Sequence, residues 1–340
     1  MHWNHILRNN VEGENIEQQL HRMKNGKIPF ETEYNEEQLY LQKRYHYVLH
    51  FTKKKDTTKG IEGKYECRHY KYRDEILQKT AQIILFRQRY PKYADRLVGI
   101  DACSREIGCR PEVFGRAFRT LRFYIPPEPK TAFIQERPVN QLKFTYHVGE
   151  DYLDVTDGLR AIDEAIRFLA MDSGDRLGHA MALGVDSIRW YAERGNKVTL
   201  PIQDYIDNIV WMHHNLNHYS IEGVGALKGW LEEKYSQYFD YVYQPFVRNW
   251  SEKKEDLVEE EYFDDMAQNG FDINTYYLSW LLRGDKPELY KSGRFIKSVP
   301  SDQWKELAVN APYIKRQDIR YIPQVTLLYS MYHYNSDFRN

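Results

Sequence analysis

An α/β fold with neighbouring parallel strands is predicted by three observations within residues 142–183. Leu142, Phe144 and Tyr146 alternate with polar neighbours and run into the Gly-bearing turn His147-Val-Gly-Glu150, the period-two pattern of a strand and its end. Leu159, Ile162, Ile166 and Leu169 then recur at helical spacing, with Asp154 as N-cap, Asp157 in the first turn and Ser173-Gly174 as the stop. A second short strand ends on Arg176-Leu-Gly-His179. Strand, helix and strand in this order form a right-handed crossover between parallel strands. Both strands therefore end at one edge of the sheet, where α/β folds place ligands and catalytic groups. His147, Glu150 and His179 are expected to converge there.

The remaining elements follow in chain order. Residues 1–40 are polar and of mixed charge, with a helix expected around Ile16–Met23, and His2 and His5 belong to this terminal extension. Tyr45, Tyr47, Leu49 and Phe51 mark a strand at 45–51 that carries His46 and His50 on one face, read as a structural pair of strand histidines. Lys53, Lys54 and Lys55 follow as a solvated loop. Ile76, Leu77, Ile83 and Ile84 supply the buried side of a helix over 74–90, which Pro91 ends. Arg96-Leu-Val-Gly-Ile-Asp101 reads as another strand, and Pro111 opens a helix whose core face is Val113, Phe114, Ala117, Phe118 and Leu121. Beyond His179 a short helix at 185–193 stops at Gly195. A longer one from Pro201 carries Ile202, Ile206, Ile209 and Leu216, with His213, His214 and His218 near its end. These three histidines lack an H-E-x-x-H arrangement and are expected to be structural or at the surface. From residue 223 the chain turns helical and aromatic-rich. Three regions result: the extension at 1–40, an α/β portion at 41–222 and a mainly helical portion at 223–340.

Composition narrows the classes of function. A chain of 340 residues can bury a large core, and a formal net charge of -1 gives no reason to expect nucleic acid or a membrane surface as an obligatory partner. Three cysteines, at 67, 103 and 109, cannot make a disulfide framework and suit a reducing cytoplasm, so a cytoplasmic protein is expected. The loop holding Cys103 and Cys109 lacks the His-x-Glu and Pro-Cys-x-x-Cys of cytidine-deaminase-type zinc sites, which excludes that class.

The pairing of His147-x-Gly-Glu150 with Arg176-Leu-Gly-His179 resembles the metal-dependent adenosine and AMP deaminases, and Leu97-Val-Gly-Ile-Asp101 resembles a further segment of that family. The resemblance implies a partial (β/α) TIM barrel of the metal-dependent hydrolase type, with added helical segments. It implies His147 as a zinc ligand, Glu150 as the acid that protonates the purine ring nitrogen, and His179 as the group that orients the attacking water and handles its proton. Gly99, Asp101 and Gly149 are implied to lie against the substrate, an adenine nucleoside or nucleotide. Ala180 departs from the family, which often has Gly there. Zinc lowers the pKa of a bound water to about 7, and general acid help is worth roughly 10²–10⁴-fold in rate.

The resemblance covers about residues 45–200, with four of the eight strands of such a barrel. Two further His ligands and one Asp ligand of the family have no counterpart; Asp264-Asp265 reads as helical. Two alternatives remain open: the chain is part of a longer or complemented deaminase and incomplete alone, or it is a catalytically inactive scaffold that has lost its metal site. The helical extension resembles that of large deaminase-like proteins of bacterial antiphage systems, which implies an ATPase partner. Its aromatic content suits a homo-oligomeric contact and, equally, a core of its own.

Overall fold

The computed structural model describes residues 44–56, 67–124, 140–245, 247, 270–290 and 319–334. Four strands, β1 (Tyr47–Thr52), β2 (Leu97–Cys103), β3 (Lys143–Val148) and β4 (Arg176–His179), form one sheet in the order β1-β2-β3-β4. All three pairings are parallel, with His50 opposite Asp101, Asp101 opposite Thr145 and Thr145 opposite Arg176. The crossovers are α1 (Tyr70–Arg89), α2 (Gly115–Phe123) and α3 (Val155–Phe168). After β4 come α4 (Ser187–Ala192), α5 (Ile202–His218), α6 (Gly225–Val242), α7 (Ile273–Leu281) and α8 (Pro323–Tyr334). This is an α/β architecture with a four-stranded parallel sheet, compatible with part of a β/α barrel. Among the described residues no helix is long and apolar enough to cross a membrane. The expected helix at 16–23, His2, His5 and Asp264-Asp265 lie outside the described residues.

Period two sends alternate strand residues to opposite faces. Phe51, Ile100, Ala102, Phe144, Tyr146 and Val148 are buried beneath the helices, where they meet Ile76, Ile83, Phe114, Phe118, Leu121, Ile162 and Ala165. Phe118 is fully buried and packs its ring near those of Phe51, Phe144 and Tyr146 at centroid distances of 6.2, 4.9 and 6.0 Å. A second core gathers Ile206, Ile209, Tyr235, Phe239, Tyr276, Trp280 and Leu328 from α5 to α8.

Between the two cores runs a layer of buried charge. The Arg160 guanidinium bonds Glu164, Asp157, Asp204, Asp207 and Asn208 at 2.8–3.3 Å. Arg110 reaches Asp157 and Glu164, Arg283 donates twice to Asp207 at 2.5 and 2.8 Å, and the Trp280 indole N–H donates to Glu164. Such groups tolerate burial because each charge meets an opposite one. Burial alone would raise the Asp207 carboxyl, but Arg283 and Arg160 hold it down at about 2.

Several local expectations are corrected. Asp154 occupies the N-cap position, but its carboxylate turns away from the helix amides to accept from Tyr191 and Asn208. The helix ends at Phe168, short of Ser173-Gly174, with Ala170 in the left-handed region at φ 53°. Ile166 is 44% exposed, because α3 buries one side on the sheet and another, carrying Arg160 and Glu164, on α5. Tyr70 starts α1 four residues earlier than the apolar pattern indicated. Lys53 is buried, its stem lying over the Tyr146 ring with the ammonium 4.5 Å from the centroid, so the first lysine of the run is no solvated loop residue.

Candidate functional site

The face of the sheet opposite the helices carries Val48 and His50 on β1, Gly99, Asp101 and Cys103 on β2, Lys143, Thr145 and His147 on β3, and Arg176 and Gly178 on β4. Val48, His50, Lys143 and Arg176 are exposed there. At its C-terminal edge the three residues expected to converge do so. His179 Nε2 lies 3.1 Å from Glu150 Oε2, and the His147 and His179 rings are 5.1 Å apart between centroids.

Each turn that aims these side chains has a local cause. Gly149 sits at φ +76°, a conformation glycine adopts freely, and a Cβ there would meet Ile162 Cδ1 at 2.7 Å. Gly178 is opposite His147, and a Cβ on it would come within 2.9 Å of the imidazole. The missing side chain lets the ring lie across β4 toward His179. His179 and Ala180 both adopt left-handed backbone, at φ 59° and 48°. Glycine would occupy that region at no steric cost, which is the physical meaning of the Ala180 departure. The Ala180 amide bonds the Val148 carbonyl at 3.0 Å and the Ala182 amide bonds that of Gly149 at 2.9 Å, so the two strand-end turns are tied together.

The Glu106 carboxylate cradles the turn after β3. It accepts from the backbone N–H groups of Gly149, Glu150 and Asp151 at 2.8, 2.9 and 3.3 Å. The Lys53 ammonium donates to the His147 carbonyl from below. Burial lowers the Lys53 pKa, with Glu106 acting against that shift.

Asp101 is 2% exposed, and both its oxygens accept from imidazoles: His147 Nδ1 at 3.0 Å and His50 Nδ1 at 2.8 Å. With Nδ1 engaged, His147 has Nε2 as the nitrogen for a metal or a substrate, the usual arrangement of a carboxylate-held histidine ligand. The hydrogen bond to Asp101 raises the His50 pKa, with burial acting against it. His50 therefore belongs to the strand-end cluster and is no partner of His46, which precedes β1. Gly99 lies on β2 where a Cβ would meet the Lys143 carbonyl oxygen at 2.8 Å, so close approach of the strands requires a glycine there.

Reading the residues one by one missed Glu106, Lys53 and the His50–Asp101 contact. Only pairing across β1, β2 and β3 brings them together, and no local pattern carries that pairing. Of the α5 histidines, His213 is buried against Glu232 at 2.9 Å. His214 stacks on Tyr277 at 3.6 Å, and burial with the neighbouring His218 lowers its pKa to about 4. Both are packing or hydrogen-bond contacts within the helical portion.

Comparison of the chain with family models and with curated proteins returns no match.

Proposed function

We propose that the strand-end edge is the acid–base half of a purine aminohydrolase site, taking an adenine nucleoside or nucleotide for hydrolytic deamination. The observation that carries this reading is the contact of His179 with Glu150 beside the His147 ring, at the C-terminal ends of adjacent parallel strands. A proton on Glu150 would pass to a ring nitrogen, making the neighbouring carbon electrophilic, while His179 would orient water at that carbon and take its proton as the C–O bond forms. His179 would then protonate the exocyclic nitrogen, which leaves as ammonia when the C–N bond breaks, and the hydroxyl proton would return to Glu150. The 3.1 Å contact between them gives a path for moving a proton from one to the other. Asp101 fixes the His147 ring, and Glu106 fixes the backbone on which Glu150 is mounted.

The zinc that the resemblance implies would supply an activated water at neutral pH. His147 Nε2 fits one coordination position, but catalytic zinc normally takes three protein ligands. The described residues do not complete the implied shell around His147, so the step above is confined to proton transfer and positioning by the chain's own side chains. That single-ligand shell also favours the second reading, a scaffold that carries a deaminase-like edge without turnover. An ATPase partner and a homo-oligomer belong to the same proposal.

Binding distinguishes the two. Adenosine titrated calorimetrically into the purified protein is expected to bind at one site, with Glu150→Ala and His179→Ala each weakening binding by up to about tenfold, the worth of a neutral hydrogen bond. Absence of adenosine and AMP binding, or full affinity in both variants, rejects the aminohydrolase reading in favour of the scaffold.

A further inference from the structure

Beside the His147–Glu150–His179 group, β1 and β2 bring a second set of donors together. The register sets His50 opposite Asp101 and Thr52 opposite Cys103, so Asp101 and Cys103, two apart on β2, share the open face with His50. The Lys53 amide donates to the Cys103 carbonyl at 2.8 Å, which extends the ladder and holds Cys103 on strand backbone. A ring nitrogen of His50, an Asp101 carboxylate oxygen and Cys103 Sγ all lie within 4.8 Å of one another.

We infer that His50, Asp101 and Cys103 bind one divalent cation of the zinc class, at a site separate from the one the deaminase resemblance implies. Imidazole, carboxylate and thiolate together suit zinc or cobalt, whereas calcium and magnesium take oxygen donors. Donors around a tetrahedral zinc stand about 3.3–3.5 Å apart, given bonds of roughly 2.0 Å to nitrogen and oxygen and 2.3 Å to sulfur. Carboxylate and thiolate neutralise the two positive charges, and the half-exposed His50 side chain leaves the site open to solvent. Three protein donors leave a fourth position for water or a ligand atom. Asp101 Oδ1 stays with His147 Nδ1 while Oδ2, now bonded to His50, turns to the cation. The cation then stands one carboxylate away from His147. Binding displaces the Cys103 thiol proton, and the His50 proton now shared with Asp101 moves to the other ring nitrogen or leaves, so affinity rises with pH. The aminohydrolase reading assigns no role to His50 or Cys103, and this site does not depend on it.

Cobalt is the probe. Co²⁺ titrated into the reduced, full-length protein is expected to bind at one equivalent with a thiolate-to-cobalt charge-transfer band in the near ultraviolet, which Zn²⁺ then abolishes by displacement. Cys103→Ser and Cys103→Ala remove the band, His50→Ala weakens cobalt binding by about tenfold or more, and His147→Ala leaves the band in place. Far-ultraviolet circular dichroism checks that each variant is folded. Absence of the band overturns the inference, as does its survival in both folded Cys103 variants, which would assign it to Cys67 or Cys109. Loss of the band in His147→Ala with retention in His50→Ala also overturns it, moving the metal to the site the aminohydrolase reading needs. Adenosine binding is measured separately by calorimetry, so failure of the cobalt site and failure of the aminohydrolase reading are told apart.

Discussion

The two faces of one sheet differ in what they are made of, although the same four strands supply both. Beneath the helices lie Phe51, Ile100, Phe144, Tyr146 and Val148, each at most 2% exposed. On the other face stand His50, Asp101, Cys103, Thr145, His147 and Arg176, with His50 and Arg176 exposed. Parallel sheets are normally covered on both faces, so an open face bearing histidines, a carboxylate and a thiol is costly for stability alone. The covered face supplies the stability, and the open face with its strand-end turns carries the polar groups on which the proposed function rests. The division is possible because a side-chain period of two lets adjacent residues answer to different demands.

The sharpest way to break the comparison is to change one residue on each side. Phe118→Ala removes a fully buried ring from among Phe51, Phe114, Phe144 and Tyr146, and should cost about 3–5 kcal/mol in urea unfolding. Val48→Thr on the open face, where Val48 is 39% exposed, should stay within about 0.5 kcal/mol. Equal losses would mean that both faces are load-carrying and that the division is wrong.

Acid tests the charged layer behind the covered face. Arg283 and Arg160 depress the Asp207 carboxyl to about 2 from its usual 3.8, so the folded state binds fewer protons there than the unfolded chain. The resulting stability is present above about pH 4 and is lost as pH falls through 2, an amount of roughly 2 kcal/mol. Asp207→Asn should flatten that part of the stability profile measured by denaturant titration. An unchanged acid limb would show that the layer does not carry the pH dependence.

A smaller effect is expected at the turn that aims Glu150. Gly149→Ala should lower stability by about 1 kcal/mol, from the left-handed backbone at φ +76° and from contact with Ile162. Adding Ile162→Val should return part of it in thermal unfolding. No recovery would mean that backbone strain, and not the 2.7 Å contact, sets the cost.

The sequence was most legible where demand is local. Alternation at 142–146, the left-handed Gly149 and the strand glycine Gly178 point to β3, β4 and the meeting of His147, Glu150 and His179, because strand period and glycine placement are encoded within a few residues. Four strands were found to within two residues at each end. The ionic layer was illegible, since Arg160, Glu164 and Asp207 look like solvent-facing helix residues until α5 and α7 are packed against α3. Glu106 and Lys53 were hidden for the same reason: their partners lie 43 to 94 residues away along the chain. His50 reads in the sequence only as a structural strand histidine sharing a face with His46; its contact with Asp101 comes from the parallel register, which no local pattern carries.

The most direct measurement is a ¹H–¹⁵N correlation spectrum of the labelled protein titrated with adenosine. If the strand-end edge is a purine site, shifts concentrate in the amides of residues 147–151 and 178–182, which flank the Glu150–His179 contact, and those of Ile206–Val210 on α5 stay in place. Shifts confined to α5–α8, or none at saturating adenosine, would contradict the account and leave the open face without its proposed chemistry.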